Sequence, residues 1–599
     1  DVQRPASAGR FSFGFLFLPA TSGVADVDTH SLKLKRVDID VRCVKLVRRK
    51  QVASGGPTHQ VRITYTAAGR IHTLTYPSGA TIRYLRDGQG RTISVMGKPA
   101  TAAAEVTRVS TASYLPFGPL SSLTFGNGRV QTRSFDRKYA VDRIFDVAAN
   151  DGFDIDLGLD VAGNVISLAE RQGTNSVLRS VDYDGQNRLT ALRNGAALVE
   201  GFAYDATGNR TARSTATATT PYSTAPSSHR LGAVGPITRG YDAAGNTTAI
   251  NDPAPKTLIY NDLGRLREFK VSGALQAGYR YNGRGERIVK LHPSNVNLNR
   301  YFVYTDSGQL LGEYNKDGTR VAEYVWLDDT LVAIYSDHDA STYQFVQTDH
   351  LGTPRAVVHP TRNRIVWRWN LAGSAFGEHA PVTDPDADGK LFGLNLRYPG
   401  QYFDAESGLH YNYFRDYEAG TGRYVESDPI GLKGGLSTFN YAANEPFNYS
   451  DPFGLIIWKG SMAGAAYGVL VGGAIYDFEL TSECVADQRA TVNVTAIGGS
   501  VSLGGKAKAK SPAGGSGSVV FHDNNSTIVP TVFEGSFGVL SIGPQIGPLD
   551  ANYTKITLGD AFSDSINDVG LELSIAGVTL GGSSILGTTR WEACSCEPE

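Results

Sequence analysis

Cysteine, charge and histidine are scarce in this 599-residue chain, and each shortage removes a class of function. The four cysteines (Cys43, Cys484, Cys594, Cys596) make no dense disulfide framework, and none has metal-ligand spacing, so no metal is expected. Charged residues are only 19% of the chain and the net charge is −2, which leaves no global electrostatic case for nucleic acid. No cofactor is expected either. Long apolar runs are few. Phe11–Leu18, behind Arg4 and Arg10, imitates a signal peptide but reads better as a strand. Beginning at Asp1 rather than Met, the chain reads as a fragment or a processed product.

Tyrosine (29) and glycine (68) are abundant, a mixture that suits an all-β chain with many tight turns, and the length calls for two or more domains. A loose unit recurs: an aromatic or apolar residue, usually Tyr, then Asp or another polar residue, with Gly four positions after the first. It appears at Tyr65, Leu159, Tyr204, Tyr241, Tyr260, Tyr281, Tyr304 and Tyr314, and from Tyr241 to Tyr304 the spacings are 19, 21 and 23 residues. That is room for one hairpin per unit. Tyr ends a strand and packs on the next one, Asp starts the turn with its side-chain acceptor, and Gly takes the positive φ. Single hairpins are not stable alone, so the units must stack into a long sheet that spirals to manage its edges.

Between Tyr398 and Leu455 the sequence Asp-Pro-x-Gly-Leu occurs twice, at Asp428–Leu432 and Asp451–Leu455. Two carboxyls held close in a partly desolvated site can hydrolyse a peptide bond, because only one of them ionises easily. The turns at 433–435 and 444–446 allow the chain to fold back and bring Asp428 to Asp451. As local chemistry alone the motif reads first as a pair of structural turns. The neighbouring acids Asp404, Asp416, Glu418 and Glu426 read as solvated or locally paired, with Arg397 and Arg415 as partners.

The Tyr-Asp units, Thr348–Arg355 (TDHLGTPR), Asn395–Asp404 (NLRYPGQYFD) and the double Asp-Pro-x-Gly together resemble the Rhs/YD-repeat family of polymorphic toxins, which includes the C component of insecticidal toxin complexes. The likeness covers roughly residues 55–455 and is weak before them. It implies a large spiralling β-sheet shell, or cocoon, closed by a core that plugs one end and frees a toxic C-terminal cargo by aspartyl autoproteolysis. On that resemblance Asp428 and Asp451 are the catalytic pair, Arg423 is an orienting neighbour, and the cut falls between Leu455 and Ile456. Ser437-Thr438-Phe439 departs from the family's usual Asn-Leu-Tyr there. The expected division is an N-terminal shell or plug portion (1–54), the YD shell (55–390), the core (391–455) and the cargo (456–599). Expected partners are secretion machinery of the type VI or toxin-complex kind, an immunity protein and a target-cell membrane, with no nucleic acid; the product is expected to be secreted or delivered into a target cell.

The last 144 residues change character. Gly460–Tyr476 carries no charge, and Gly460, Gly464, Gly468 and Gly472 would line one face of a helix, a ladder that suits packing in lipid. Beyond it, residues 489–599 are Gly- and Ser-rich, with strand-like runs at Thr491–Ala496, Ser500–Leu503, Ser518–Phe521, Tyr553–Leu558 and Leu571–Leu580. The loop from Lys506 onward reads as solvated. The segment has 14 acidic and 7 basic residues and one histidine, His522, which is poor material for a nuclease groove. It also lacks the His-x-Glu and Pro-Cys-x-x-Cys of a zinc deaminase. A membrane-active cargo follows by elimination. Two other readings stay open: a cargo enzyme with an unrecognised site, and an adhesive YD-repeat surface protein that is never cleaved.

Overall fold

A computed structural model describes residues 46–453 with short breaks, and strand backbone between Trp458 and Ala593. The aromatic run at 11–18, the bond between 455 and 456, the loop from Lys506, His522 and all four cysteines lie outside the described residues.

Thirty strands from Leu46–Val52 to Arg364–Arg368 form one antiparallel sheet in which every strand pairs with its neighbour in sequence. The sheet winds back on itself. Near its start, Tyr76 Oη donates to Tyr324 O (2.7 Å) and Tyr84 Oη to Trp326 O (2.9 Å). Further along, Gln131 Nε2 donates to Thr348 O (3.2 Å) and Gln347 Nε2 to Asp146 Oδ2 (2.6 Å). Early strands thus lie against late ones, the spiral expected of a shell. The burial pattern follows. Strand Asp154–Leu159 alternates, whereas Tyr343–Thr348 is buried on both faces, because a second layer covers it.

The repeating unit is explained atom by atom. Asp205 Oδ1 accepts from the backbone N–H of Thr207 and Asn209 (both 2.9 Å), Oδ2 accepts from Asn209 Nδ2, and Gly208 closes the turn at φ 84°. Pairing skips a residue at the aromatic position, so that Tyr204 meets Arg210 and Tyr281 meets Arg287, a bulge that bends the sheet at every unit. The tyrosine reaches back rather than forward. Tyr260 Oη donates to Thr247 O, Tyr281 Oη to Leu266 O and Tyr304 Oη to Arg287 O, each tying a unit to the one before it. Tyr281→Phe keeps the ring and strands one carbonyl. A loss of about 1 kcal/mol in shell stability is expected by denaturant titration, and an unchanged midpoint would refute the staple.

In Thr348–Arg355 the same turn is built from Asp349, whose Oδ1 accepts from Thr353 N (2.9 Å) and whose Oδ2 pairs with buried Arg355 (2.8 Å). His350, in the position that Ala206 holds in the other unit, places Nε2 2.7 Å from Phe447 O, linking shell to core. That core is a second, four-stranded sheet of Gln401–Asp404, Leu409–Asn412, Arg415–Glu418 and Arg423–Tyr424. It docks on the shell through Tyr402 Oη to Glu313 Oε2 (2.7 Å) and through Asp404, which pairs with Arg287 and Lys290. Asp404 is therefore neither solvated nor locally paired. Glu418 likewise reaches Arg239 of the shell (2.8 Å).

The C-terminal strands form a separate nine-stranded sheet. Here the glycine ladder is not helical: Trp458–Gly468 and Val471–Thr481 are the two arms of a hairpin, with Gly468 opposite Gly472. Gln488–Ser502 joins the two runs expected at 491–496 and 500–503, and Tyr553–Leu558 is a strand as expected. Of 571–580, the described strand includes only the part from Gly577 onward. Among the described residues no helix is long and apolar enough to cross a membrane.

Candidate active site

The core sheet places its chemistry at a tight hairpin. Asn412 and Arg415 are directly opposed across the turn 413–414, with Tyr413 at φ 54°, so their side chains leave the same face. Arg415 is 3% exposed at its side chain. Its Nη2 lies 2.8 Å from Asp428 Oδ2 and 3.2 Å from Asp451 Oδ2, so the two carboxylates converge on one nitrogen. Nη1 donates to Thr438 O (3.2 Å), and the guanidinium sits 3.6 Å from the centre of the Tyr424 ring. Burial works to lower the Arg415 pKa, but Asp428, Tyr424, Asp451 and Glu426 outweigh it and raise it.

Asp428 is held by its backbone. Its N–H donates to Thr438 O (2.7 Å) and its C=O accepts from Gly431 N (2.9 Å), with Gly431 at φ 67°. A main-chain hydrogen bond thus closes the Asp-Pro-x-Gly turn, and the carboxylate meets Arg415. Turn and site are the same feature. Asp451 Oδ2 also accepts from Tyr424 Oη (2.8 Å), and its main-chain O accepts from Asn412 Nδ2 (2.8 Å). The following residue threads past Gly400, where a Cβ would stand 2.0 Å from Pro452 O and 2.7 Å from Asn412 Oδ1. Gly400 is at φ 80°, so both sterics and backbone demand glycine in Tyr398-Pro399-Gly400.

Arg423 lies elsewhere. Its Nη2 donates to His229 O, its guanidinium packs 5.2 Å from the Phe439 ring centre, and burial lowers its pKa to about 10. The structure brings Asp428 and Asp451 together but sets Arg415, not Arg423, between them. The sequence offered Arg415 only as a partner of Asp404, Asp416, Glu418 or Glu426, whereas it contacts Asp428 and Asp451; its place opposite Asn412 across a short hairpin was the available signal.

Beside this site lies a second acid pair. Asp416 and Glu426 are buried, and Asp416 N donates to Glu426 Oε2 (2.7 Å). Burial pushes the Asp416 carboxyl up to about 7, with Asp404 reinforcing and Arg287 and Arg265 opposing; burial and Asp416 push Glu426 up as well. The folded chain keeps on Asp416 a proton that the unfolded chain releases above 3.8. The stability it supplies is complete below that pH and is lost as pH rises through about 7. Thermal midpoints between pH 5 and 8 should therefore fall more steeply for the parent than for Asp416→Asn. Parallel curves would count against the pair.

Comparison with known proteins agrees with this architecture. The teneurin YD-shell family model matches residues 128–442, more than half of the chain. The chain belongs to the YD-shell family. Among curated relatives, toxin protein Tse5 of Pseudomonas aeruginosa is 42% identical over 113 residues, 19% of this chain and 8% of its own. Double-stranded DNA deaminase toxin A of Burkholderia cenocepacia is 30% identical over 246 residues, 36% of this chain and 16% of its own. Probable deoxyribonuclease RhsB of Dickeya dadantii is 26% identical over 441 residues, 68% of this chain and 26% of its own. The chain thus spans about a quarter or less of the length of these relatives. The TcdB2–TccC3 crystal structure shares the fold, with a TM-score of 0.56 at 19% identity over 67% of this chain and 22% of that one. The Photorhabdus luminescens Tc holotoxin pore gives 0.55 at 18% identity, over 67% and 21%.

Proposed function

We propose that this YD shell and its core cut their own chain after Leu455, with Asp428 and Asp451 as the acid–base pair, and so free residues 456–599 as toxic cargo. The observation that supports it is the meeting of two aspartates, 23 positions apart in sequence, on one buried arginine. One carboxylate takes a proton from water as the oxygen adds to the Leu455 carbonyl. The other, protonated, polarises that carbonyl and returns its proton to the departing amine of Ile456. Arg415 keeps two acids close without their mutual repulsion. Arg423, away from both, enters as a prop for the segment around Phe439.

The division into shell (55–390), core (391–455) and cargo (456–599), with 1–54 as a further shell or plug portion, belongs to this proposal. So do secretion or delivery by type VI or toxin-complex machinery, an immunity partner and a target membrane; toxin relatives and the shared Tc fold support them. The cargo is read as membrane-active: a glycine-rich hairpin, uncharged from Gly460 to Tyr476, heads a sheet of strands up to 15 residues long. A second reading, a cargo enzyme, is favoured by relatives named as nucleases and a deaminase. Leakage of dye from liposomes treated with the cleaved chain supports the first; intact liposomes with degraded or deaminated DNA support the second. Intact mass of the purified chain tests cleavage itself: a product ending at Leu455 is expected, and a chain that stays whole favours an uncleaved surface scaffold.

A further inference from the structure

Resting on the self-cleavage reading, we infer that Asn412 and Tyr424 form a clamp that positions Asp451 and holds its Oδ2 as a hydrogen-bond acceptor.

The argument needs only donors and acceptors. A main-chain carbonyl cannot donate, so the Asn412 atom 2.8 Å from Asp451 O must be its NH2, which settles the orientation of the amide. The same nitrogen lies 2.6 Å from Tyr424 Oη. An NH2 group only donates, so the tyrosine oxygen accepts there and its single proton goes to its other neighbour, Asp451 Oδ2, at 2.8 Å. Arg415 Nη2 gives a further N–H to that oxygen at 3.2 Å. With two donors aimed at it, Oδ2 is an acceptor in the resting site and has no room for a proton of its own.

The backbone enforces this geometry. Asn412 is fully buried and opposite Arg415, while Tyr424 pairs with Tyr417 on the next strand. Burial holds the Tyr424 hydroxyl neutral, raising its pKa well above the ordinary tyrosine value, so it remains a donor at any working pH. The ring and the hydroxyl have separate duties: the ring stacks on Arg415, the hydroxyl orders Asp451. Both are positioning residues, acting through the aspartate.

The test follows the full chain made in cell-free translation, with cleavage timed on denaturing gels from pH 4.5 to 8.5. Tyr424→Phe keeps the stacked ring and removes the hydroxyl; Asn412→Leu keeps the volume and removes the amide. Thermal midpoints of both are measured in an Asp428→Asn background, where every chain is uncleaved. The clamp requires cleavage slowed about tenfold or more in each variant, an acid limb of the rate profile moved to higher pH, and little change in midpoint. Parental rates, or slow rates with an unmoved profile and a lowered midpoint, would overturn it. A parent that never cleaves removes the self-cleavage reading itself and the clamp with it, a result distinct from either.

Discussion

Asp428→Asn and Asp451→Asn chains should each remain full length under conditions in which the parent releases the 456–599 fragment. The amide keeps the shape of the carboxyl, so the core should still assemble, but it neither takes nor gives the proton that hydrolysis moves. Losing general acid or base catalysis costs about a hundredfold to ten-thousandfold in rate, enough to take cleavage beyond an overnight incubation. Arg415 extends the same experiment. Its guanidinium is the contact common to both aspartates, whereas Arg423 contacts His229 O and Phe439. Arg415→Met should therefore abolish cleavage, leaving two acids buried without their shared cation, while Arg423→Met should lower stability with a smaller effect on rate. If both aspartate variants cleave at the parental rate, the Asp-Pro-x-Gly pairs are turns alone.

Gly400→Ala is expected to be as severe as losing an aspartate, although residue 400 has no chemistry to contribute. The new methyl would meet Pro452 O at 2.0 Å and Asn412 Oδ1 at 2.7 Å, and backbone on one side cannot swing away as a flexible side chain would. A φ of 80° adds a strain of about 1 kcal/mol for any other residue. The Asp451–Pro452 segment must then move by an ångström or more. Displacements of about 1 Å cost on the order of a hundredfold where reacting groups have to be aligned. The expected result is a chain with the parental circular dichroism and no cleavage. Parental cleavage by Gly400→Ala would show that the segment is not held against residue 400 when it reacts.

The shell was legible because each repeat solves its own local problem. In Tyr204-Asp205-x-x-Gly208 the turn acceptor, the positive φ and the bulge all lie within seven residues, so spacing alone announces a hairpin. Where the sequence misled, the cause is periodicity. A four-residue spacing keeps Gly460, Gly464 and Gly468 on one face of a helix, but four is also even, so the same residues share one face of a strand. Pairing of Trp458–Gly468 with Gly515–Phe521 as well as with Val471–Thr481 decides for the strand.

The candidate site was half legible. Two aspartates in twin turns mark themselves in the sequence, and Asp428 and Asp451 stand together in the structure. Their arginine does not mark itself: Arg423 is nearer to both aspartates in sequence than Arg415, and only the hairpin that opposes Asn412 to Arg415 selects between them. Nor does sequence show that Asp404 crosses to Arg287, or that Asp416 and Glu426 share one buried space. Composition and short-range spacing determined the all-β class and the repeat, because turns and strands are settled by neighbours in the chain; the two acids were singled out by the family resemblance. The winding of the sheet, the docking of the core and the choice of Arg415 were decided by tertiary structure, because each depends on residues tens to hundreds of positions apart being buried against one another.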